Sequence, residues 1–239
     1  MYCNKRLSLL KPLGITLIFI WLCGCASKSL PPTVSDELSA QALQKQDDIE
    51  QFQMALALLD GDEADKQNAK SLFDDLYASN HHYIGAKINS ADILFSLDQH
   101  KEAKSSYLEV VNQLTNATPT EKLSDHENPV SKLASEHEQP ENHDLFLSHT
   151  YNQLGLIARQ TGQFSEAETY YRKALVLNDS NPKTIKNLAI LLDLYQGKLK
   201  EAYELYLRYE ELVGDKDPKV KDWLYDLKNR LPAEGSREK

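Results

Sequence analysis

Residues 151–182, YNQLGLIARQTGQFSEAETYYRKALVLNDSNP, decide how the chain folds. Apolar and small residues recur there at intervals of three and four, the period of helices with one face turned inward. Ala167 is followed four residues later by Tyr171, and the same alanine-to-aromatic step occurs at Ala69/Phe73, Ala103/Tyr107 and Ala202/Tyr206. The four alanines stand 34, 64 and 35 residues apart, and the middle interval is one period of 34 plus an insertion of 30. A small residue precedes each alanine by 12 or 13 positions, at Ala57, Ala91, Gly155 and Ala189.

Two antiparallel helices joined by a short turn pack closely only where small side chains face each other at the point of approach. An aromatic residue one turn further on fills the wedge as the axes diverge. Each such pair leaves one apolar face uncovered, and stacking pairs side by side covers it, so a repeating array follows. Gly and Pro number nine each, and β-branched runs are missing, consistent with helix after helix.

Tyr151, Leu154, Gly155, Ala167, Tyr171, Ala174 and Pro182 fall where the tetratricopeptide repeat family places its aromatic, leucine, glycine, alanine, aromatic, alanine and closing proline, and residues 151–182 resemble that repeat. The unit at 183–216 keeps Leu188, Ala189, Ala202 and Tyr206 but has one extra residue before Gly197 and Tyr209 where alanine is usual. Units near 50–83 and 84–116 depart further, with Gln53 and Lys87 at the first aromatic position. The resemblance implies an all-α solenoid of about four helix pairs.

Asn181-Pro182 and Asp217-Pro218 each offer a capping acceptor followed by proline at the first helical position, where its missing N–H is harmless. From Pro218 onward Val220, Trp223, Leu224, Leu227 and Leu231 share one face, with Lys221, Asp222, Lys228 and Asn229 opposite. That is a capping helix over the last repeat, with Trp223 in the core rather than serving as a ligand platform. Residues 116–143, acidic, proline-containing and without period, read as a disordered insertion inside a domain spanning 36–231. Residues 232–239 read as a flexible tail.

The N-terminus carries Lys5, Arg6 and Lys11, then an apolar run from Leu13 to Leu22, a pattern for an export signal covering 1–24. The run is shorter than the ~20 residues that span a bilayer. Leu22-Cys23-Gly24-Cys25 resembles the bacterial lipobox, which implies lipidation of Cys25 and removal of everything before it. Cys3 and Cys23 then disappear, and the mature chain has no free thiol, a consistent outcome in an oxidising periplasm. Ala26 and Ser27 follow in place of the aspartate that resembles an inner-membrane retention signal, so the expected location is the outer membrane, facing the periplasm, with 25–35 as a tether. Loss of three basic residues moves the formal charge from −9 to −12. So acidic a chain, with no basic stripe, is not expected to bind nucleic acid.

No Gly-x-Ser-x-Gly elbow, His-Glu-x-x-His pair or glycine-rich phosphate loop is present, and neither an enzyme nor a cofactor is expected. His126, His137, His143 and His149 stand in or beside the insertion among glutamates, a composition suited at most to weak metal binding, and no metal site is assigned. In the tetratricopeptide family the first helix of each pair lines a concave, peptide-binding face. Position by position, the resemblance implies Asn89, Asp92 and Phe95 from the second repeat, Asn152 and Arg159 from the third, and Lys183, Lys186 and Asn187 from the fourth as partner-binding residues. Arg159, Lys183 and Lys186 are expected to form a cationic patch suited to a carboxylate. The expected role is a membrane-anchored periplasmic scaffold binding envelope proteins or peptides, for a pilus, secretion or cell-wall complex. The alternatives are a pilot for an outer-membrane secretin and weak metal or ligand binding through the insertion.

Overall fold

The computed structural model describes residues 34–116 and 140–231. Among these, nine α-helices follow one another without a strand: α1 Val34–Ala57, α2 Glu63–Ser79, α3 Ile84–Ser96, α4 His100–Asn116, α5 Pro140–Gln160, α6 Phe164–Leu177, α7 Pro182–Leu194, α8 Leu199–Val213 and α9 Lys219–Arg230. The chain divides within α1 into two units, 1–42 and 43–239. Of the first, only the opening turns of α1 are described. The fold is the expected all-α tetratricopeptide-type solenoid, with four helix pairs and α9 after the last.

The periodic anchors lie where the repeat requires. Ala69, Ala103, Ala167 and Ala202 are fully buried, as are Phe73, Tyr107 and Tyr171, with Tyr206 barely exposed. One detail differs from the sequence reading. Ala57 is exposed at the end of α1, and Ala55 is the buried small residue of the first pair, because the turn after α1 is two residues longer than the register allowed. In the third pair the nearest side-chain atoms to Gly155 belong to the ring of Tyr171, one turn beyond Ala167.

The turns inside the second, third and fourth pairs reuse one conformation. Asp98, Gly162 and Gly197 stand 64 and 35 residues apart and take φ of 58°, 77° and 66°. Positive φ reverses the chain directly after a first helix, and glycine does this without a Cβ penalty while aspartate tolerates it. Side chains cap two of the helices, α7 between pairs and α2 inside the first pair. Asn181 Oδ1 accepts from the Lys183 and Thr184 amides at 3.0 and 3.3 Å with Pro182 at the first position, as its sequence predicts. Asp62 and Asp65 form a reciprocal box at the start of α2.

The core is a string of clusters handed from pair to pair. Ala55, Phe73, Leu76, Ala86 and Ile93 join the first pair to α3. Ala91, Leu94, Ala103 and Tyr107 join the second pair to Leu154 and Ile157 of α5. The second and third repeats therefore dock directly although 117–139 separate them in sequence. His143 Nε2 lies 2.9 Å from the Leu114 carbonyl, and Lys104 pairs with Glu166 at 3.0 Å. α5 begins at Pro140, so the last four residues of the expected insertion are helical. Val34 and Ser35, expected in the tether, belong to α1. Asn116, at the other end of the expected insertion, is the last residue of α4, and residues 117–139, the signal, Cys25 and the tail lie outside the described residues.

α9 buries Val220, Leu224 and Leu227, and half-buried Trp223 meets Tyr206 with ring centroids 5.5 Å apart. Lys221, Asp222, Lys228 and Asn229 face water. Asp217 serves mainly elsewhere than as a cap: its carboxylate accepts from the Tyr209 hydroxyl at 2.8 Å and Lys186 at 3.3 Å. Tyr209, in an alanine position, thereby gains a partner for its hydroxyl. Lys87, in an aromatic position, covers the Tyr77 ring at 5.0 Å with its ammonium and pairs with Glu109 at 2.8 Å, while Gln53 is exposed.

Candidate protein-binding face

The first helices α3, α5 and α7 lie side by side, and their polar residues meet in two places. Asp92 of α3 is the focus of one. Its carboxylate accepts from the Tyr107 hydroxyl of α4, from Gln153 Nε2 at 2.9 Å, and from His149 Nε2, which stands 3.0 Å from both oxygens. Burial alone would raise the Asp92 carboxyl, but His149, Tyr107 and Gln153 together hold it below the usual carboxylate range. Burial first, and then the negative Asp92, push the Tyr107 hydroxyl far up. Asp92 was expected to meet a peptide. In the structure it fastens three helices across the junction that the insertion interrupts.

The second meeting is between Asn152 and Asn187. Asn187 Nδ2 donates to Asn152 Oδ1 at 2.9 Å, tying α5 to α7. Asn152 is only 6% exposed, so its role is to hold register rather than to grip a ligand. Phe95 is a half-buried core neighbour of Ala91 and Leu154, its ring 5.4 Å from that of His100. Asn89 lines a hollow of about 210 Å3 with Leu59, Lys66, Asp92, Ile93 and Ser96.

The expected cationic patch is not assembled. The Asn152–Asn187 bond fixes how α5 lies along α7. At 1.5 Å per residue, Arg159 and Lys183 are then roughly 16 Å apart along the helix axes. Lys186 is engaged by Asp217 and covers the Tyr209 ring at 5.1 Å. Burial would lower its ammonium, but Tyr209 and Asp217 outweigh that and raise it. Lys183 is exposed.

Arg159 lies at the far end of the face. It is half-buried, its Nη1 is buried without a hydrogen-bond partner, and no ion pair within 4 Å reaches it among the described residues. Asp193, one repeat on at the equivalent place of α7, is taken by Arg230 of α9 at 2.8 Å. The hydroxyl of fully buried Tyr171 also lacks a partner. Burial pushes that hydroxyl up to about 12 against the opposing pull of Arg159. Burial raises Tyr206 too, Asp193 adding to the rise while Arg159 and Arg230 oppose it. Register counting on one helix face could place Arg159 on this surface. That Arg230 would claim Asp193 and leave Arg159 alone depends on α9, which the repeat pattern does not cover.

Residues 149–181 match the tetratricopeptide repeat family model. A tetratricopeptide repeat therefore stands at α5 and α6. Solved structures similar to it include residues 41 to the end of MamA from Desulfovibrio magneticus RS-1, at 20% identity and a TM-score of 0.48, covering 73% of this chain and 80% of that one. Another is the Yersinia enterocolitica type III secretion chaperone SycD in complex with a peptide of the translocator YopD, at 17% identity and 0.42, covering 60% and 91%. A third is the tetratricopeptide-containing C-terminal domain of a Plasmodium falciparum FK506-binding protein, at 16% and 0.46, covering 72% and 95%. No curated protein matches the chain.

Among the described residues no group of three or more His, Cys, Asp or Glu side chains is placed to hold a metal ion. His143 and His149 are engaged with Leu114 and Asp92, and His126 and His137 lie outside the described residues.

Proposed function

We propose that this protein is a lipid-anchored periplasmic scaffold that binds protein partners in the cell envelope through the face formed by α3, α5 and α7. The observation that carries the reading is the parallel array of first helices, fastened by Asp92 and by the Asn152–Asn187 bond, with Asn89, Lys183 and Arg159 left on its surface. Internal bonds make such a face rigid before a partner arrives, which reduces the ordering entropy of binding. The lipobox-like Leu22-Cys23-Gly24-Cys25 supports the anchor. Lipid chains contribute about 0.8 kcal/mol per buried methylene, enough with more than one chain for stable attachment. The outer membrane is the proposed site, and assembly of a pilus, secretion or cell-wall complex is the proposed setting. Binding rather than catalysis is the proposed activity.

The test uses a photoreactive residue placed at Asn89, at Lys183, or at Lys101 on the second helix of its pair as a control, in cells making the full chain. Envelope proteins should be crosslinked from positions 89 and 183 and not from 101, and Cys25→Ser should abolish both the acyl mass at the mature N-terminus and those crosslinks. Equal capture from all three positions would remove the groove from the reading. An unacylated wild-type N-terminus would remove the anchor.

A further inference from the structure

The end of the third repeat, where α5 starts and α6 stops, carries a surface that stacking of repeats does not explain. Nine residues after the four anchoring alanines stand Ala78, Asn112, Val176 and Glu211, small or polar in three repeats and large and apolar in one. Val176 is 85% exposed, more than any other large apolar side chain among the described residues. Leu145, in the second turn of α5, is 49% exposed, and the two line a hollow of about 540 Å3 that Asp144, Leu177, Asn178 and Asp179 complete. An exposed apolar patch with a polar rim is what a docking site presents to solvent. The rim here is negative. His143 Nδ1 lies 3.5 Å from Asp144 and Arg208 Nη2 lies 3.3 Å from Asp179, so one guanidinium and one imidazole face two carboxylates. The end of α6 adds to this, because the last carbonyls of a helix lack partners inside it and carry the negative end of its dipole. At α4 the corresponding end is met by His143, on the Leu114 carbonyl. At α6 the Asn178 amide and the Ser148 hydroxyl both go to the Ala174 carbonyl, one turn short of the end. Long basic side chains lay their hydrocarbon stems on apolar surface while the charged head reaches polar groups, and opposite charge across a contact fixes its register.

We propose that this hollow between α5 and α6 is a second docking site, separate from the face formed by α3, α5 and α7, for an extended peptide segment of a protein partner in which lysine or arginine adjoins an apolar residue. The apolar residue covers Val176 and Leu145. The cation lies between Asp144 and Asp179, beside the last carbonyls of α6. A scaffold with both surfaces holds one partner on its first-helix face and a second, of basic and apolar character, at the end of the third repeat.

The experiment exposes the full chain to tethered hexapeptides, uncharged at both ends, that differ only at the two central positions: Lys-Leu, Arg-Leu, Glu-Leu or Lys-Ser. Wild type should be retained about fivefold better, or more, by the first two than by the last two. Val176→Asn, which installs the residue that α4 carries at the matching place, should abolish that preference, and so should Asp144→Asn. Asn89→Ala, on the first-helix face, should leave it unchanged, and thermal melts of each variant establish that it is folded. A photoreactive residue at Leu145 then reports the occupant, and it should crosslink the added Lys-Leu peptide. Crosslinks that this peptide fails to displace, whether to a second copy or to residues 117–139 of the same chain, which contain Lys122-Leu123 and Lys132-Leu133, would overturn the external partner. Equal retention by all the peptides, retention by none, or a preference that both Val176→Asn and Asp144→Asn leave intact would overturn the site itself. None of these results bears on the first-helix face, which the crosslinks from positions 89 and 183 test separately.

Discussion

Gly155 of α5 lies directly under the ring of Tyr171: a Cβ on this glycine would stand 2.5 Å from Cε1 and 2.6 Å from Cδ1. The ring has no room to retreat, since Tyr171 is fully buried against Ala158, Ala167 and Ile185. Adding one methyl group is therefore an overpacking problem, not a loss of helix-breaking flexibility. Gly155→Ala should destabilise the chain by about 1–3 kcal/mol although alanine is the better helix former. Urea unfolding measures this directly. Combining Gly155→Ala with Tyr171→Leu should restore part of the loss relative to the sum of the two single changes. Strict additivity would show that the two residues do not compete for the same space.

Ala167→Leu tests the array rather than the contact. The alanine is fully buried, and three added carbons enter a packed cluster that runs on through Ala189, Ala202 and Leu227. Because repeats couple chiefly to their neighbours, amide exchange should accelerate most across 140–231 and least across α2. A uniform acceleration would reveal one cooperative globule.

Acid should loosen the solenoid through two carboxylates. Asp92 is held below its ordinary range despite burial, by His149, Tyr107 and Gln153. Glu168, between Lys198 at 2.7 Å and Arg172 at 2.7 Å, is likewise driven down to about 2 against the effect of burial. A carboxyl depressed in the folded state binds protons more readily when unfolded, so its contribution is complete above the unfolded value of about 4 and fades as pH falls through the folded value. Melting temperature should accordingly drop between pH ~4.5 and ~2. Asp92→Asn and Glu168→Gln should each flatten that slope while lowering stability at neutral pH. Tyr107→Phe, which removes a hydrogen bond to a charged group, should lower stability by about 1.5–3 kcal/mol. A slope unchanged in both acidic-residue variants would place acid sensitivity elsewhere.

The left-handed turns give a prediction of opposite signs. Gly162→Ala places a Cβ on a residue with φ of 77° and should destabilise by about 1–2 kcal/mol, although nothing lies within 4 Å of the added atom. Asp98, at 58°, already bears such a Cβ, so Asp98→Gly should be neutral or mildly stabilising. Thermal denaturation of the two variants decides it, and a loss in both would mean that the Asp98 side chain contributes more than its backbone strain costs.

The fold was legible because its determinants are local in sequence. Ala167 and Tyr171 are one helical turn apart, and repetition of that step at 69, 103 and 202 carries the whole stack. Where a residue's partner lies on another helix, the sequence says much less. Asp92 was placed on the correct helix, yet its three donors come from α4 and α5, across a separation set by the insertion. Asn152 and Asn187 were each assigned to the surface, and their mutual bond appears only when the two helices are laid together. The chain can count to the equivalent place of the next repeat, as from Arg159 to Asp193, but not foresee that Arg230 reaches it first. Gly155 was legible as a site of close approach, but that the ring of Tyr171 comes nearest to it was not, because the spacing gives the height along the helix and not the rotation.

The bond between His143 and the Leu114 carbonyl has a further consequence for how the chain can be divided. It stitches the end of α4 to the start of α5, beside the packing of Leu154 and Ile157 on Tyr107 and the Lys104–Glu166 pair. The halves on either side of 117–139 therefore meet through an interface of their own, independent of the peptide bonds that join them. A single backbone cut within that segment removes connectivity and leaves every one of these contacts in place. Two separately synthesised polypeptides, one ending and one beginning within that segment, are accordingly expected to reassemble the junction of α4 with α5, which a fragment-complementation assay checks.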